Sequence, residues 1–464
     1  MVLTSQVSTG AVITAKRETR PVGRRDSARA PPVVAQRTPC ASDGELRNAD
    51  ASLRMTAMTA DQGVPGRPLL NRRLAEFGTT IFAEMSALAV RTGAINLGQG
   101  FPDTDGPEAV REAAVRALRD GRGNQYPPGP GIPELRTAVA AHQRRWYGQL
   151  GLDPDPETEV LVTAGATEAI TAALLALLEP GDEVIALEPY YDSYAAAIAM
   201  AGGTRVPVTL RPSPSESGAQ GEGTFRLDLD ELRDAVTDRT RLILLNTPHN
   251  PTGTVLSRDE LAAIAELCVE RGLLAVTDEV YEHLVYEGEH IPLASFPGMR
   301  ERTVTISSAG KTFSFTGWKV GWVTSTPELV SAVRSAKQFL TYVSAGPFQY
   351  AVAEALALPD SYYTQLRENL RAQRDLLSEG LAEAGFGVFR APGTYFVTTD
   401  IRPLGVSSGI DFCLALPERC GVVAVPTQVF YDHEAAGAPF VRFAFCKQQE
   451  VLADAVRRLK GAPG

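Results

Sequence analysis

Ser307-Ser308-Ala309-Gly310-Lys311-Thr312-Phe313-Ser314-Phe315-Thr316-Gly317-Trp318-Lys319-Val320-Gly321-Trp322 follows a short β-branched run at 303–307. Its middle, Gly310-Lys311-Thr312, ends like a phosphate-binding P-loop. That pattern also needs a glycine five residues before Gly310, and position 305 is Thr305, so the nucleotide-hydrolase reading fails. A dinucleotide fingerprint fails too, because Gly98-Gln99-Gly100 is followed by Asp103 where the third glycine belongs. What survives is a lysine standing just beyond the end of a strand.

Outward from this stretch, short β-branched runs alternate with alanine-rich helical ones. Strands are expected at 159–163, 183–188, 241–246, 273–277 and 303–307, with helices at 167–178 and 259–271, the latter opened by a Ser257-x-x-Glu260 capping box. Such alternation predicts an α/β fold: a mostly parallel mixed sheet covered by helices. After residue 345 the texture changes to a long charged helix at 360–384 and strands at 394–399 and 441–446, a smaller α+β domain. The expected organisation is an extension over 1–68, an N-terminal arm over 69–98 that contributes to the small domain, a large domain over 99–345 and a small one over 346–464. Polar clusters sit immediately after the expected strands, where open α/β sheets bind ligands.

Composition narrows the function. The 464 residues carry 45 Lys+Arg against 55 Asp+Glu, a formal charge of −10. This argues against nucleic acid or an anionic membrane surface as partner, which would need a concentrated basic face. No apolar run approaches the ~20 residues of a membrane-spanning helix. The cysteines at 40, 268, 413, 420 and 446 form no C-x-x-C pair and read as reduced thiols of a cytoplasmic protein. No histidine pair has zinc spacing, so no metal is expected. A Ser/Gly-rich segment at 212–223 reads as a surface loop.

Residues 1–60 carry nine Lys/Arg against five acids, prolines at 21, 31, 32 and 39, and little hydrophobic periodicity. Disorder is expected there, since too little apolar surface is available to offset chain entropy. A solvated extension, an organelle transit peptide and translated sequence upstream of the true start compete. Met55 and Met58, just before the first periodic segment, favour the last.

The stretch around Lys311, together with Asn250-Pro251-Thr252-Gly253 and Asp278-Glu279-Val280-Tyr281, resembles the motifs of class I/II, fold-type I, pyridoxal-phosphate aminotransferases, in the family's order over about residues 69 to 460. Asn96 to Asp103, Asn124-Gln125-Tyr126-Pro127-Pro128-Gly129-Pro130-Gly131, 277–285 and 441–447 are most similar to the actinobacterial-type N-succinyldiaminopimelate aminotransferases, and next to kynurenine, glutamine and methionine aminotransferases. The resemblance implies pyridoxal 5'-phosphate as cofactor, an amino acid and a 2-oxo acid as substrates, a ping-pong cycle, and a homodimer with composite sites.

It also implies roles. Lys311 carries the cofactor covalently and moves the Cα proton, which requires burial or cationic neighbours to lower its pKa. Asp278 pairs with the pyridinium nitrogen, and Asn250 and Tyr281 bond the phenolic oxygen. Gly165, Ala166 and Thr167, at a helix N-terminus, hold the phosphate with Ser308 and Lys319. Lys319 departs from the arginine usual in the class, keeping the charge without the planar fork. Tyr191 stacks on the ring, with Tyr190 and Tyr194 as alternatives, and Tyr126 reaches the partner subunit's phosphate. Arg442 grips the substrate α-carboxylate, an assignment its apolar neighbours support because a buried arginine needs an anion. Asn250 and Gly100 also face the substrate. The preferred substrate pair is N-succinyl-LL-2,6-diaminopimelate with 2-oxoglutarate, on resemblance alone. The rivals are a β-lyase acting on cystathionine or cysteine conjugates, and a transcription regulator with an aminotransferase-like domain, for which 1–68 lacks a helix-turn-helix pattern.

Overall fold

The computed structural model describes residues 69–213 and 223–461. The extension expected over 1–68 lies outside the described residues, as does most of the expected loop at 212–223. The flanks of that loop pair as antiparallel strands, Arg211–Ser213 with Thr224–Arg226.

The main sheet has seven strands: β1 (Val160–Thr163), β2 (Glu183–Glu188), β3 (Thr204–Thr209), β4 (Thr240–Asn246), β5 (Leu274–Asp278), β6 (Thr303–Ser308) and β7 (Gly321–Thr324). Their spatial order is β1-β7-β6-β5-β4-β2-β3. Only β7 is antiparallel, paired to β1 on one side and β6 on the other. Val184, Leu242, Leu244, Val276 and Val304 face one helical layer, and Ile185, Ile243, Leu245 and Ala275 the other. Burial on both faces is why these strands read as continuous apolar runs. The helix Arg258–Arg271 starts at the expected capping box, with Ser257 Oγ accepting from Glu260 N and the Glu260 carboxylate accepting from Ser257 N. It stops at Gly272, whose φ of 66° suits a residue without Cβ.

A second, four-stranded sheet runs in the order Gly387–Val388, Phe396–Asp400, Phe440–Ala444, Val425–Pro426. Its core joins Val397, Val441 and Phe443 to Met85 and Leu88 of the helix Ile81–Thr92. Ile95–Asn96 pairs in parallel with Val422–Val423. The charged helix Asp360–Glu383 buries Tyr363, Leu370, Leu377 and Leu381 along one stripe, the spacing of a helix packed on one side. The helix Gly346–Leu356 departs from the border expected at 345/346. Its Ala351, Val352, Ala355 and Leu356 pack with Val110, Val139 and Val162, on the main-sheet side, because its apolar face matches the helices Glu108–Arg119 and Pro133–Tyr147 there.

No helix among the described residues is long and apolar enough to cross a membrane.

One close approach locks the start of the site. A Cβ on Gly321 would lie 2.7 Å from the carbonyl carbon of Gly165. Gly321→Ala is therefore expected to destabilise the protein by about 1–3 kcal/mol through overpacking. Ser257→Ala is expected to cost about 1 kcal/mol through loss of the cap. Urea unfolding followed by circular dichroism reads both, and a Gly321→Ala protein as stable as the parent would contradict the packing described.

Candidate active site

Six parallel strands end on the same side of the main sheet, and five of them, β1, β2, β4, β5 and β6, each deliver one cluster. Beyond β1 the helix Gly165–Leu177 begins after Ala164, which cannot cap it with a side chain. Gly165 has φ of 79°, and its absent Cβ would lie 3.3 Å from Lys319 Nζ, so the Lys319 ammonium sits beside this helix N-terminus. Ala166 and the exposed Thr167 complete the first turn, where unpaired N–H groups and the helix dipole favour an anion. Ser308 ends β6 buried, its hydroxyl without a hydrogen bond among the described residues.

At the end of β5, Asp278 is 5% exposed. Its Oδ2 accepts from the Tyr194 hydroxyl at 2.6 Å and its Oδ1 from Val280 N at 3.3 Å. Burial nevertheless pushes its pKa up to about 6, although those bonds and the Lys311 charge pull the other way. Lys311 lies in the short helix Ala309–Thr312 directly after β6. Its Nζ is 5.7 Å from the Tyr281 ring centroid and 5.5 Å from that of Tyr395. Burial lowers its pKa to about 8, while the Cys446 thiol and Asp278 resist the change. An amine so tuned is a nucleophile and a proton acceptor near neutral pH.

Arg442, from the middle of the second sheet, is 1% exposed. Its Nη1 donates to Asn250 Oδ1 and its Nη2 to Gly98 O, each at 2.8 Å, while Nε has no partner. The guanidinium lies 4.0 Å from the Phe396 ring centroid, 5.2 Å from Phe82 and 5.4 Å from Phe430. It forms no ion pair among the described residues, and burial pulls its pKa down to about 10. A guanidinium held by two neutral oxygens, with Nε–H and the second N–H of each Nη unpaired among the described residues, is a ready carboxylate receptor. Asn250 is fixed in turn, since its N–H donates to Asn246 Oδ1 at 2.7 Å and Asn246 Nδ2 donates to the Asp278 carbonyl at 2.8 Å.

Among the three tyrosines after β2, Tyr190 donates to Asp432 at 2.8 Å and Tyr194 to Asp278. Only the Tyr191 hydroxyl of the three lacks a hydrogen bond among the described residues, and its partly buried ring lies 6.3 Å from Phe82 and 5.9 Å from Tyr194. Tyr281 is buried, its ring edge-on to that of Tyr395 with centroids 5.3 Å apart. Gly100 is pressed on the second sheet, where a Cβ would lie 2.2 Å from Phe396. Tyr126 stands apart from the rest, 81% exposed, with Tyr342 as its ring neighbour at 5.5 Å.

Sequence reading missed several contacts. Tyr194 reads from the sequence only as a ring-stacking alternative, although it lies one turn beyond Tyr191, the N-cap of the helix Asp192–Ala201. Tyr395 gave no signal at all. The expectation of no metal rested on spacing, yet the fold brings His142, Glu282 and His283 together with ligand atoms within 4.8 Å. His142 and His283 lie 141 residues apart, so no local pattern links them. The two imidazoles bond each other at 2.8 Å, and Glu282 accepts from Tyr147 and Ser307. Burial lowers the His142 pKa to about 3 and holds His283 well below its ordinary value.

The sequence pattern of the family described as Aminotransferase class I and II matches residues 92–459. A probable N-succinyldiaminopimelate aminotransferase, DapC, of Mycobacterium tuberculosis is 55% identical over 396 residues, covering 83% of this chain and 97% of that protein. The three-dimensional structure of N-succinyldiaminopimelate aminotransferase from that organism superposes with a TM-score of 0.80 at 55% identity, covering 84% of this chain and 99% of the other. A methionine aminotransferase of Escherichia coli is 38% identical, covering 84% of this chain and 97% of its own length. A human kynurenine–oxoglutarate transaminase 1 is also 38% identical, with 83% and 96% covered. An uncapped helix N-terminus, a tuned lysine, a buried aspartate and a carboxylate receptor thus converge in a chain that belongs to the class I and II aminotransferases, fold-type I enzymes dependent on pyridoxal phosphate.

Proposed function

We propose that this enzyme transfers the amino group of N-succinyl-LL-2,6-diaminopimelate to 2-oxoglutarate in a ping-pong cycle, in the cytoplasm, as a homodimer. The observation that carries the reading is Arg442, a buried guanidinium with an unpaired Nε and no ion pair among the described residues. The choice of amino donor rests on the 55% identity to the mycobacterial relative. Unpaired thiols at Cys268, Cys413 and Cys446, all buried, accord with a reducing compartment.

The residues present fit pyridoxal phosphate. Gly165, Ala166 and Thr167 would hold its phosphate with unused N–H groups, with Lys319 Nζ and the Ser308 hydroxyl adding a charge and a donor. Asp278, raised to about 6 by burial, would be held ionised by a pyridinium nitrogen. Asn250 and Tyr281 would bond its phenolic oxygen, Tyr191 would stack on its ring, and Lys311 would anchor it covalently. When bound, the group supplies an electron sink that makes the Cα–H bond of an amino acid labile, and a carbon that holds the amino group between half-reactions.

The chain's own residues do the rest. Arg442 orients the α-carboxylate through two parallel hydrogen bonds, with Asn250 and Gly100 alongside. Lys311 Nζ, at about 8, accepts the Cα proton and returns it across a short distance. Tyr194 keeps the Asp278 carboxylate aimed, and the aromatic rings of Phe82, Phe396 and Phe430 exclude water from the receptor. Tyr126, 81% exposed, would extend into the partner subunit's site.

Four outcomes are expected. In single-turnover mixing with candidate donors, cofactor absorbance changes fastest with N-succinyl-LL-2,6-diaminopimelate; a preference for kynurenine, glutamine or methionine overturns the donor assignment. Arg442→Met lowers kcat/KM for both donor and acceptor by about a thousandfold, from loss of two charge-assisted bonds of ~2 kcal/mol each. Cofactor affinity, measured by fluorescence titration, falls as pH drops through about 6, because Asp278 then becomes neutral. Asp278→Asn weakens binding at all pH values and flattens that dependence. Sedimentation equilibrium of the holoenzyme returns a dimer mass, and a monomer excludes composite sites.

A further inference from the structure

The segment 97–103 is tied to the C-terminal part of the chain carbonyl by carbonyl. Leu97 O accepts from Ala444 N at 2.6 Å, Gly98 O from Arg442 Nη2 at 2.8 Å, Gly100 O from the Tyr395 hydroxyl, and Phe101 O from Lys447 Nζ at 2.8 Å. Gln448 N closes the series on Asp103 Oδ1 at 2.9 Å. The N–H groups of Gly98 and Gln99 go to Asn96 Oδ1 at 3.0 and 3.2 Å. Between these fixed points, the Gly100 N–H has no partner among the described residues.

Lys447 is the unexpected member. It is 6% exposed, and its ammonium lies 4.3 Å from the Phe101 ring centroid. It makes no ion pair among the described residues. Burying an ammonium without an anion is costly, and an apolar side chain could fill the same space. The bond to the Phe101 carbonyl and the seat on the Phe101 ring are what the charge does here.

We propose that Lys447 is a positioning residue for substrate binding: it clamps the 98–101 segment so that the free Gly100 N–H and the Gly98-bound Arg442 present one rigid receptor to the α-carboxylate. This rests on the reading of Arg442 as that receptor. Lys447 touches no reacting atom, so its loss acts on substrate binding and leaves the proton transfer at Lys311 in place.

The test compares Lys447→Met, Lys447→Arg and the parent as holoenzymes. Loss of one charge-assisted bond is expected to raise KM for donor and acceptor about tenfold, with kcat within about twofold and the melting temperature unchanged. Lys447→Arg, which keeps charge and donor, restores KM. Lys447→Gln is the second variant, its shorter neutral side chain falling short of the Phe101 carbonyl, and the same KM rise is expected. Unchanged KM in folded Lys447→Met or Lys447→Gln overturns the proposal. So does a joint fall in kcat and melting temperature that arginine fails to rescue, which marks a merely structural residue. Failure of Arg442→Met to lose activity would instead sink the reading beneath it, so the two failures are distinguishable.

Discussion

A positive charge sealed from water with no ion pair among the described residues is the constraint on which this molecule turns. Arg442 is 1% exposed and held by an amide oxygen and a backbone carbonyl. Burying it costs free energy that aromatic faces return only in part. The fold bears that cost because a carboxylate entering the receptor finds a partner already desolvated and aimed, so little reorganisation is left for the moment of binding. Asp278 and Lys311 follow the same logic with opposite signs. Burial raises one and lowers the other, to about 6 and about 8, which leaves both able to change protonation near neutral pH.

The two sheets share this work through few bonds. Asn250, beyond β4 of the main sheet, accepts from Arg442 of the second sheet at 2.8 Å. Asn250 is itself braced by Asn246, which also holds the Asp278 carbonyl. A continuous chain of hydrogen bonds therefore runs from the residue proposed to tune the cofactor to the residue proposed to bind substrate. The rings of Tyr281 and Tyr395, nearly perpendicular at 5.3 Å, form a second crossing, and the Tyr395 hydroxyl donates to the Gly100 carbonyl. A shift of either sheet would disturb both halves of the site together, which suits an enzyme that must align a cofactor and two successive substrates.

Much of this was legible in the chain because the main strands are buried on both faces and advertise themselves as apolar runs. β2 begins and ends where expected, and β4, β5 and β6 differ by a residue at one or both ends. β7 was hidden, since Gly321–Thr324 is four residues long and sits inside the motif that drew attention to Lys311. The helix Gly346–Leu356 was assigned to the wrong side because composition changes at the chain position where packing does not. Contacts across long separations left no trace: Tyr194 to Asp278, Tyr395 to Gly100, His142 to His283. Each joins residues whose local patterns are complete without the other, so only the fold reveals them. Tyr126 reads as an isolated exposed ring, because its proposed role needs a second copy of the chain.

The chemistry of the site depends on Lys311. Borohydride reduction of the holoenzyme, followed by proteolysis and mass mapping, reads directly which amine carries the cofactor. A single modified peptide bearing the adduct at Lys311 is the result expected. An adduct at Lys319, Lys337 or Lys447 in its place, or no adduct in protein saturated with pyridoxal phosphate, would contradict it.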